Sequence, residues 1–419
     1  MNQRRSFGSE SVGETMLGGE IRVLLLTHSY SPEVSPPQRR WDAFIYVMRN
    51  EGWRVNVVTP RSAESTTRFS RAARVISVER GVHGEHIRSY ASMKKPDHIS
   101  GKIIKNALDG LLMLPGALLR ARPSVVVATV PALPTMFIGY IVAAVFRRPL
   151  LLEMRDAWPD LISDSRILRW KWLTNLAYRA VRAVQRRAAM VVTVTDGFAS
   201  ILAGDGVTCV QTIHNGISTR NFEPLPDSPK SDHSKLRVLY LGNLGESQGL
   251  ESVIMASTMV VDEVDVRIVG GGTATDRLRQ YAAKIGANID FHAPARGEAL
   301  RAHYLWADTC VVSLRDDWAS FNHTIPSKIY ELLALRRHIT GIVQGEAAQI
   351  IIDAAAGDIV DHDPRHIADL WLRLSKDKGM LDVGETGRDW VFERASLEKL
   401  GGKYVELIRE IARRGRNHA

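Results

Sequence analysis

The segment TIPSKIYELLALR, residues 324–336, places a lysine and a glutamate three positions apart at the start of an apolar run. In a helix, Lys328 and Glu331 would lie on the same face. One interpretation is structural: Thr324 caps the helix, Pro326 occupies its first turn, and the two charged side chains form a solvated pair. The other is chemical, since a lysine and a helix start both attract an anion such as a phosphate group.

Two further segments place glycines between a predicted strand and a predicted helix. They read LYLGNLGESQGLESVIMA, residues 239–256, and IVGGGTATDRL, residues 268–278. Glycines let backbone amides approach a phosphate closely, and the helix start adds a partial positive charge. Neither segment is a G-x-G-x-x-G or Walker motif, so each also fits an ordinary strand-to-helix turn.

Charged side chains also follow predicted strands in the first half of the chain. Arg155 and Asp156 leave a buried strand in LEMRDAWPD. His28 and Glu33 leave the first strand in LTHSYSPEVSPPQRRWDA, and Arg40 opens the next helix. Charged groups at strand ends are typical of ligand sites in α/β proteins, although Arg155 and Asp156 also fit a structural ion pair.

These segments belong to an alternation of short β-branched runs and helical patterns. Ten runs are predicted as strands: residues 21–28, 53–60, 124–130, 149–156, 190–196, 236–243, 264–272, 288–294, 308–314 and 337–343. Continuous apolar strands separated by helices predict a parallel sheet covered on both faces. Ligands of such sheets bind beyond the carboxyl ends of the strands, which is where the segments above fall.

A change of composition divides this alternation in two. The stretch EPLPDSPKSDHSK is rich in proline, serine and charge and predicts a linker at residues 223–235. We therefore predict an α/β fold of two doubly wound, Rossmann-like domains that face each other across a cleft. The predicted limits are a disordered tail at 1–19, a first domain at 20–222, a second domain at 236–384 and a terminal amphipathic helix at 385–419.

The charge balance favours anionic partners. The chain of 419 residues has a net charge of +9 and a pI of about 9.6. No nucleic-acid-binding motif accompanies this charge, so we expect no nucleic-acid partner. The basic clusters at 166–172 and 178–187 carry Trp170 and Trp172 and fit either a solvated helix face or a patch that rests on an anionic membrane.

Cysteine usage indicates a reducing compartment, and the hydropathy pattern predicts neither a signal peptide nor a membrane span. Cys209 and Cys310 lie in apolar runs without disulfide or zinc spacing, and the N-terminal segment lacks the apolar core of a signal peptide. The nearest candidate for a membrane span, residues 130–148, is short and interrupted by prolines, so it predicts a buried helix. An interfacial role stays open because Arg147 and Arg148 end it.

Together these segments resemble a GT-B glycosyltransferase of family four, in the branch common in bacterial surface-polysaccharide clusters. The matching strings extend from about residue 21 to the final helix: SYSPEVSPPQRR, LEMRDAWPD, TDGFASIL, IHNGIS followed by NF, LYLGNLGESQGLESVI, IVGGG and IPSKIYELLA. The specific part of the match is GNLGESQGLE together with PSKIYELLA.

The resemblance implies that the second domain binds a nucleotide sugar, with UDP favoured by analogy, and that the first domain binds the acceptor. Glu331 corresponds to the acidic residue that binds the ribose hydroxyls, while Ser327, Lys328 and the helix start would face the diphosphate. The nucleotide-sugar contacts implied are Gly242, Asn243, Gln248, Gly249, Gly271, His323, Ser327, Lys328 and Glu331. The acceptor contacts are His28, Glu33 and Arg40, and the catalytic residues are Arg155, Asp156 and Lys328.

This chain departs from the family pattern at several positions. Asn243 and Gln248 stand where many relatives carry an arginine and a lysine, and His323 stands where many carry a glutamate. The diphosphate would therefore depend on Lys328 and on backbone amides. Asp156 is expected to orient the acceptor or the transferred sugar.

The implied reaction is transfer of a sugar, with retention, to a lipid-linked or saccharide acceptor in surface-polysaccharide synthesis. The implied location is cytoplasmic and peripheral at the inner face of the cytoplasmic membrane, and the final helix would cross back to the first domain. We expect no cofactor besides the donor and no metal, since DHD at 361–363 fits a capped turn. The alternatives are a nucleotide-sugar 2-epimerase on the same fold and a non-catalytic binding protein, a class that is usually exported.

Overall fold

A computed structural model describes residues 20–31, 33, 35–61, 76–90, 92, 99–119, 122–130, 133–155, 171–220, 222–226 and 234–417. The predicted tail at 1–19 therefore lies outside the described residues. Two sheets, one in each half of the chain, organise the remainder.

The first sheet contains eight strands in the order β3-β4-β2-β1-β5-β6-β7-β8. β3 pairs antiparallel with β4, and the other neighbours pair parallel. Its strands are β1 (Arg22–Leu26), β2 (Arg54–Pro60), β3 (Ile76–Arg80), β4 (His86–Tyr90), β5 (Val125–Val130), β6 (Leu150–Met154), β7 (Met190–Thr193) and β8 (Val210–Thr212).

The second sheet is parallel throughout and contains six strands in the order β11-β10-β9-β12-β13-β14. Its strands are β9 (Leu236–Asn243), β10 (Val264–Gly271), β11 (Ile289–His292), β12 (Thr309–Ser313), β13 (His338–Ile342) and β14 (Gly357–Ile359).

Helices fill most connections between the strands. The first half contains α1 (Pro36–Asn50), α2 (Ile99–Leu118), α3 (Leu133–Phe146), α4 (Lys171–Arg187) and α5 (Asp196–Gly204). The second half contains α6 (Glu251–Met259), α7 (Thr275–Ile285), α8 (Gly297–Trp306), α9 (Lys328–Ala334), α10 (Gly345–Asp353), α11 (Pro364–Lys376), α12 (Thr386–Arg394) and α13 (Leu397–Asn417).

Both sheets are covered on their two faces, as continuous apolar strands require. In the first half, α1 and α13 share one core with the sheet, while α2, α3, α4 and α5 share the other. In the second half, α8, α9, α10 and α12 cover one face, and α6, α7 and α11 cover the opposite face. The predicted doubly wound α/β class is confirmed.

All ten predicted strands are present, and four strands escaped the sequence pattern. β8 and β14 contain only three residues each, too few for a pattern to be recognised. β3 reads ISVER and β4 reads HIRSY, and both mix polar and apolar residues; β3 is the edge strand of the first sheet and β4 is its neighbour.

The chain crosses between the halves at two places, and the two crossings are bonded to each other. The amide of Ile217 donates to the carbonyl of Ala395 at 3.0 Å, and the amide of Leu397 donates to the carbonyl of Ile217 at 2.8 Å. The carboxylate of Glu398 accepts from the backbone and hydroxyl of Thr219, both at 2.9 Å. We call this pair of segments, 215–220 and 395–398, the crossing seam.

The predicted final helix is divided by this seam. α12 packs against α9 in the second half. α13 returns to the first half, where the ring of Tyr404 lies 5.6 Å from Trp41 and 5.0 Å from Phe44. The last helix therefore completes the core of the half in which the chain begins.

Candidate functional site

Lys328 lies directly against the end of β9. A Cβ atom built on Gly242 would come 2.4 Å from Nζ of Lys328. Gly242 also has a φ of +156°, which side-chain-bearing residues rarely adopt, so the position requires glycine. The ammonium group lies 4.6 Å from the centre of the Tyr240 ring. The end of β9 therefore offers bare backbone beside a cation.

This environment withholds water from the ammonium group. Burial lowers the pKa of Lys328 to about 8, although the negative charge of Glu331 acts in the opposite direction. A dehydrated ammonium is stabilised by an anion that reaches it, because charge-assisted hydrogen bonds replace the lost hydration. The arrangement is therefore suited to a ligand that carries phosphate.

The helix that carries Lys328 begins later than the sequence pattern predicts. Ser327 is its N-cap residue, whereas we expected Thr324 in that position and Pro326 inside the first turn. The hydroxyl of Thr324 donates instead to the carbonyl of Ser320 at 3.0 Å. Since α9 has only seven residues, we assign its attraction for an anion to the Lys328 ammonium group and not to the helix start.

Glu331, one turn further along α9, lines a cavity of about 570 Å³ between the two halves of the molecule. Ser327 shares its wall, and the start of α1 and the segment around Asn215 line it from the first half. Burial and the charge of Glu331 raise the pKa of the neighbouring Tyr304 hydroxyl, which therefore stays protonated. A carboxylate on such a wall can accept hydrogen bonds from two adjacent hydroxyl groups.

Hydrogen bonds of its own side chains stabilise the glycine-rich loop after β9. The side-chain oxygen of Gln248 accepts from the Gly245 amide at 3.0 Å and from the Asn243 side chain at 3.4 Å. The Ser313 hydroxyl donates to the Gln248 carbonyl at 2.6 Å. Asn243 and Gln248 thus support the shape of the loop in this structure.

The two other predicted glycines lie further from Lys328. Gly249 has a left-handed φ of +56° and packs on His362, whose Nε2 lies 2.6 Å from the carbonyl of Leu314. Gly271 ends β10 and contacts Pro294. The two glycines therefore flank the Lys328 region and do not touch the ammonium group.

His323 and Glu346 connect the second half to the start of α5 in the first half. The carboxylate of Glu346 accepts from the Asp196 amide at 3.0 Å and from the Gly197 amide at 2.8 Å. Nδ1 of His323 lies 3.4 Å from the same carboxylate and against Gly197, where a Cβ atom would come within 1.9 Å of it. We call this contact the α5 latch.

The sequence analysis missed Glu346. The carboxylate satisfies amides that a helix start leaves without partners, and no side chain of the N-cap residue Thr195 does so. The one available signal was a glutamate at the start of the helical pattern GEAAQII, which does not reveal a partner about 150 positions away. His323 takes part in this contact between the halves, and its expected contact with the nucleotide sugar stays a prediction.

Arg40, an expected acceptor contact, lines the cavity between the halves and also has a structural role there; its contact with the acceptor stays a prediction. Its Nε lies 3.3 Å from the buried carboxylate of Glu153, and its Nη atoms donate to the carbonyls of Ile213 and His214 at 2.9 and 2.5 Å. The side chain is fully buried. With its donors engaged inside the protein, Arg40 fastens α1 to β6 and to the segment that leads to the crossing seam.

The remaining predicted residues of the first half are only partly described. Arg155 donates to the Asn215 side chain at 3.5 Å, while Asp156 lies outside the described residues. Glu33 is exposed after β1. His28 is half-buried, with Nε2 at 3.4 Å from the carboxylate of Asp109, and burial lowers its pKa. Asp109 is a partner that the sequence did not indicate.

The DHD segment is the capped turn expected from the sequence. Asp363 caps α11 by accepting from the Arg365 amide at 2.9 Å, and Asp361 accepts from the His366 ring at 2.9 Å. Throughout the described ranges, no group of three or more His, Cys, Asp or Glu side chains is arranged to hold a metal ion. The expectation that the reaction uses no metal stays a prediction.

Comparison with known proteins finds a family similarity in the first half. Residues 35–216 match the family model described as the glycosyl transferase 4-like domain. A stretch of 118 residues is 36% identical to WcaI of Escherichia coli (strain K12), named for colanic acid biosynthesis as a glycosyl transferase. That stretch covers 28% of this chain and 27% of WcaI.

Two solved structures share the whole fold at low sequence identity. A sucrose-phosphate synthase from Thermosynechococcus elongatus superposes with a TM-score of 0.69 at 14% identity, covering 94% of this chain and 99% of that one. Anabaena Alr3699/HepE, solved with UDP and glucose, superposes with a TM-score of 0.66 at 14% identity, covering 93% of this chain and 100% of that one. The fold is therefore the GT-B fold, as the resemblance implied.

Proposed function

Because the chain carries a glycosyl transferase 4-like domain on a GT-B fold, we propose that it transfers a sugar from a nucleoside-diphosphate sugar to a lipid-linked or saccharide acceptor in surface-polysaccharide synthesis. One observation carries the proposal. A dehydrated Lys328 ammonium lies against the bare backbone of Gly242, with Glu331 on the wall of the cavity between the halves.

The donor fits this arrangement by its chemistry. The Glu331 carboxylate would accept from the ribose hydroxyls, and the Lys328 ammonium would contact the diphosphate. We propose UDP as the nucleotide, since Alr3699/HepE was solved with UDP and with UDP-glucose. Ser327, Gly242 and the loop up to Gly249 surround the same region and complete the proposed donor site.

Lys328 would act on the bond that breaks. The bond between the anomeric carbon and the diphosphate oxygen cleaves, and its electron pair stays with the departing diphosphate. The acceptor oxygen bonds to the anomeric carbon, and its proton passes to the departing diphosphate oxygen. A preorganised cation beside the leaving group is worth about 3 kcal/mol in a site from which water is excluded. Retention of configuration and an orienting role for Asp156 are further parts of the proposal.

We also propose that the protein works as a peripheral protein at the inner face of the cytoplasmic membrane. A lipid-linked acceptor is held at that surface, and the basic balance of the chain favours an anionic one. His28, which lies beside Asp109 after β1, is proposed as an acceptor contact together with Glu33 and Arg40.

Acceptor-dependent release of UDP tests the proposal. Purified protein is incubated with a panel of UDP-sugars, with and without membrane extract, and free UDP and sugar products are measured. UDP release that requires the extract supports the transferase. An epimerised sugar formed without acceptor would instead show a 2-epimerase, and binding without turnover would show a non-catalytic binding protein.

Substitutions then locate the site. We expect Lys328→Ala and Glu331→Ala each to abolish turnover, while Lys284→Ala, on the exposed face of α7, serves as the matched control. Near-normal rates in both cleft variants would refute the assignment of the donor site.

A further inference from the structure

α2 is apolar on two opposite faces. One face contains Met113 and Ala117 and is buried in the core of the first half. The other contains Leu108, Leu111, Leu112 and Leu119, and the exposed fractions of Leu111 and Leu119 are 63% and 67%. A helix that only packed on the sheet would show polar residues on its outer side.

α3 lies beside α2 and extends the exposed apolar area. Ile141 and Val145 point away from the core, and Val145 is 59% exposed. The helix from Leu133 to Phe146 contains no charged residue. α2 carries three charged residues, Lys102, Lys105 and Asp109, and Lys105 pairs with Asp109 at 2.5 Å. The exposed leucines of α2 and the outer side of α3 therefore form an apolar area with few charges in a strongly basic protein.

α4 continues this surface on the other side of α3. Trp172 and Leu176 are exposed, and the exposed fraction of Trp172 is 61%. The predicted basic cluster at 178–187 is partly structural, because Arg182 is buried and pairs with Asp205. Residues 166–170 of the other predicted cluster lie outside the described residues. In the first turns of α4, the exposed side chains include the apolar Trp172 and Leu176.

Several arginines lie close together near the C-terminal end of α3. A cavity of about 460 Å³ is lined by Arg122, Arg147, Arg148 and Arg414, a few residues beyond Val145. Arg414 pairs with Glu410, which is not among the lining residues, and none of the described residues that line the cavity is an aspartate or a glutamate. The Nε atom of Arg148 is buried there without a hydrogen-bond partner. Such a cavity suits an oxygen anion, because guanidinium groups bind phosphate in a fixed geometry.

We propose that this surface docks on an anionic lipid bilayer. The docking surface consists of Leu108, Leu111, Leu112, Leu119, Ile141, Val145, Trp172 and Leu176, with the arginine cavity at its edge. The apolar side chains enter the boundary between headgroups and acyl chains, and the arginines bind lipid phosphates.

Charge distinguishes a bilayer from a second copy of the chain. Two copies that met through this surface would bring two sets of arginines together, which costs free energy. An anionic bilayer offers hydrocarbon and phosphate at adjacent depths, matching both parts of the surface. Among the described helices, none is long and apolar enough to cross a membrane.

The inference does not depend on transferase activity, and vesicle sedimentation without nucleotide sugar tests it. Vesicles of phosphatidylcholine alone are compared with vesicles in which about one third of the lipid is phosphatidylglycerol. We expect the protein to sediment with the anionic vesicles. The variant Leu111→Gln with Val145→Gln should lower the partition coefficient about tenfold or more, because two apolar anchors are lost.

A second variant tests the arginine cavity. Arg122→Gln with Arg147→Asn should remove most of the preference for anionic lipid, and asparagine tolerates the positive φ of +50° at position 147. The matched controls lie in the second half: Ile352→Gln, at an exposed fraction of 57%, and the exposed Arg296→Gln should both bind as the parent does.

Three outcomes would overturn the inference. One is failure of the parent to bind anionic vesicles, and another is equal binding by the parent and both variants. The third is a dimer in sedimentation velocity that Leu111→Gln with Val145→Gln dissociates, which would show a self-association surface. UDP-induced thermal stabilisation, measured on every variant, verifies the fold and reports on the cleft separately from the membrane contact.

Discussion

Replacement of Lys328 by methionine should stabilise the ligand-free protein while it abolishes turnover. Lys328 has a pKa of about 8, against 10.5 for a free lysine, chiefly because of burial. At pH 7 the folded state must carry a charge that the unfolded state holds more easily. The pKa difference corresponds to about 3 kcal/mol, at 1.36 kcal/mol for each pKa unit. Methionine has a similar length and carries no charge, so it removes most of this cost.

The sign of the pH dependence follows from the same difference. Between pH 8 and pH 10.5, the unfolded state binds more protons than the folded state, so the stability of the parent rises with pH through this window. Below pH 8 the group is protonated in both states and its contribution is constant. In Lys328→Met this rise should be absent, and the two proteins should become equally stable near the upper end of the window.

Differential scanning calorimetry at pH 7 and pH 10, with and without UDP, measures these effects. Each kcal/mol corresponds to about 2–4 °C in Tm for a domain of this size. Without UDP, we expect Lys328→Met to melt above the parent at pH 7. With UDP the order should reverse, since the parent gains the diphosphate contact and the variant does not. The exposed Lys284→Met is the matched control and should match the parent in both conditions.

Two results would refute this reasoning. A variant that melts below the parent at pH 7 without UDP would show that the buried charge does not destabilise the fold. An equal Tm increase with UDP in the parent and the variant would show that the nucleotide binds elsewhere, and the proposed donor site would be wrong.

Three other predictions concern groups on either side of the cleft. Glu331→Gln should weaken UDP binding about 10–100-fold in titration calorimetry, because a hydrogen bond to a charged group is worth about 1.5–3 kcal/mol. The same variant should weaken binding of 2′,3′-dideoxy-UDP much less, and equal losses for the two ligands would contradict the ribose contact. Glu346→Gln should weaken the α5 latch by about 1 kcal/mol, since the negative charge at the start of α5 is lost. The radius of gyration of the ligand-free protein should then increase in small-angle scattering, and an unchanged scattering curve would count against the latch. Arg40→Leu should lower the free energy of unfolding by about 3–5 kcal/mol in chemical denaturation, because Glu153 is left buried without its cation. Leucine at both positions should recover much of that loss. A single variant as stable as the parent would contradict the structural role given to Arg40.

The sequence was informative wherever a feature depends on neighbours along the chain. Lys328 and Glu331 are three positions apart, so helical periodicity alone placed them together. The strands β9 and β10 were predicted from continuous apolar runs, and the second sheet pairs them in register through Gly242 and Gly270 to Asn243 and Gly271. The glycines at their ends marked the turn that the ligand site requires.

Features that depend on distant partners could not be predicted in this way. Arg40 meets Glu153 and the carbonyl of His214, which lie 113 and 174 positions away. The resemblance implied an acceptor contact for Arg40, and no local pattern indicated these buried partners. Glu346 likewise gains its meaning from α5, which belongs to the other half of the molecule. Helix starts also shift by a residue or two, as Thr324 and Ser327 illustrate.

The crossing seam has a consequence for the exchange of halves between related proteins. The helix from Leu397 to Asn417 follows the second half in the sequence, yet its Tyr404 packs on Trp41 and Phe44 of the first half. A chimera that replaces everything after residue 234 would import a foreign helix into a native core. To alter donor preference without disturbing that core, the transplanted segment should end before Ser396. The last helix then remains the native one and still completes the core of the first half.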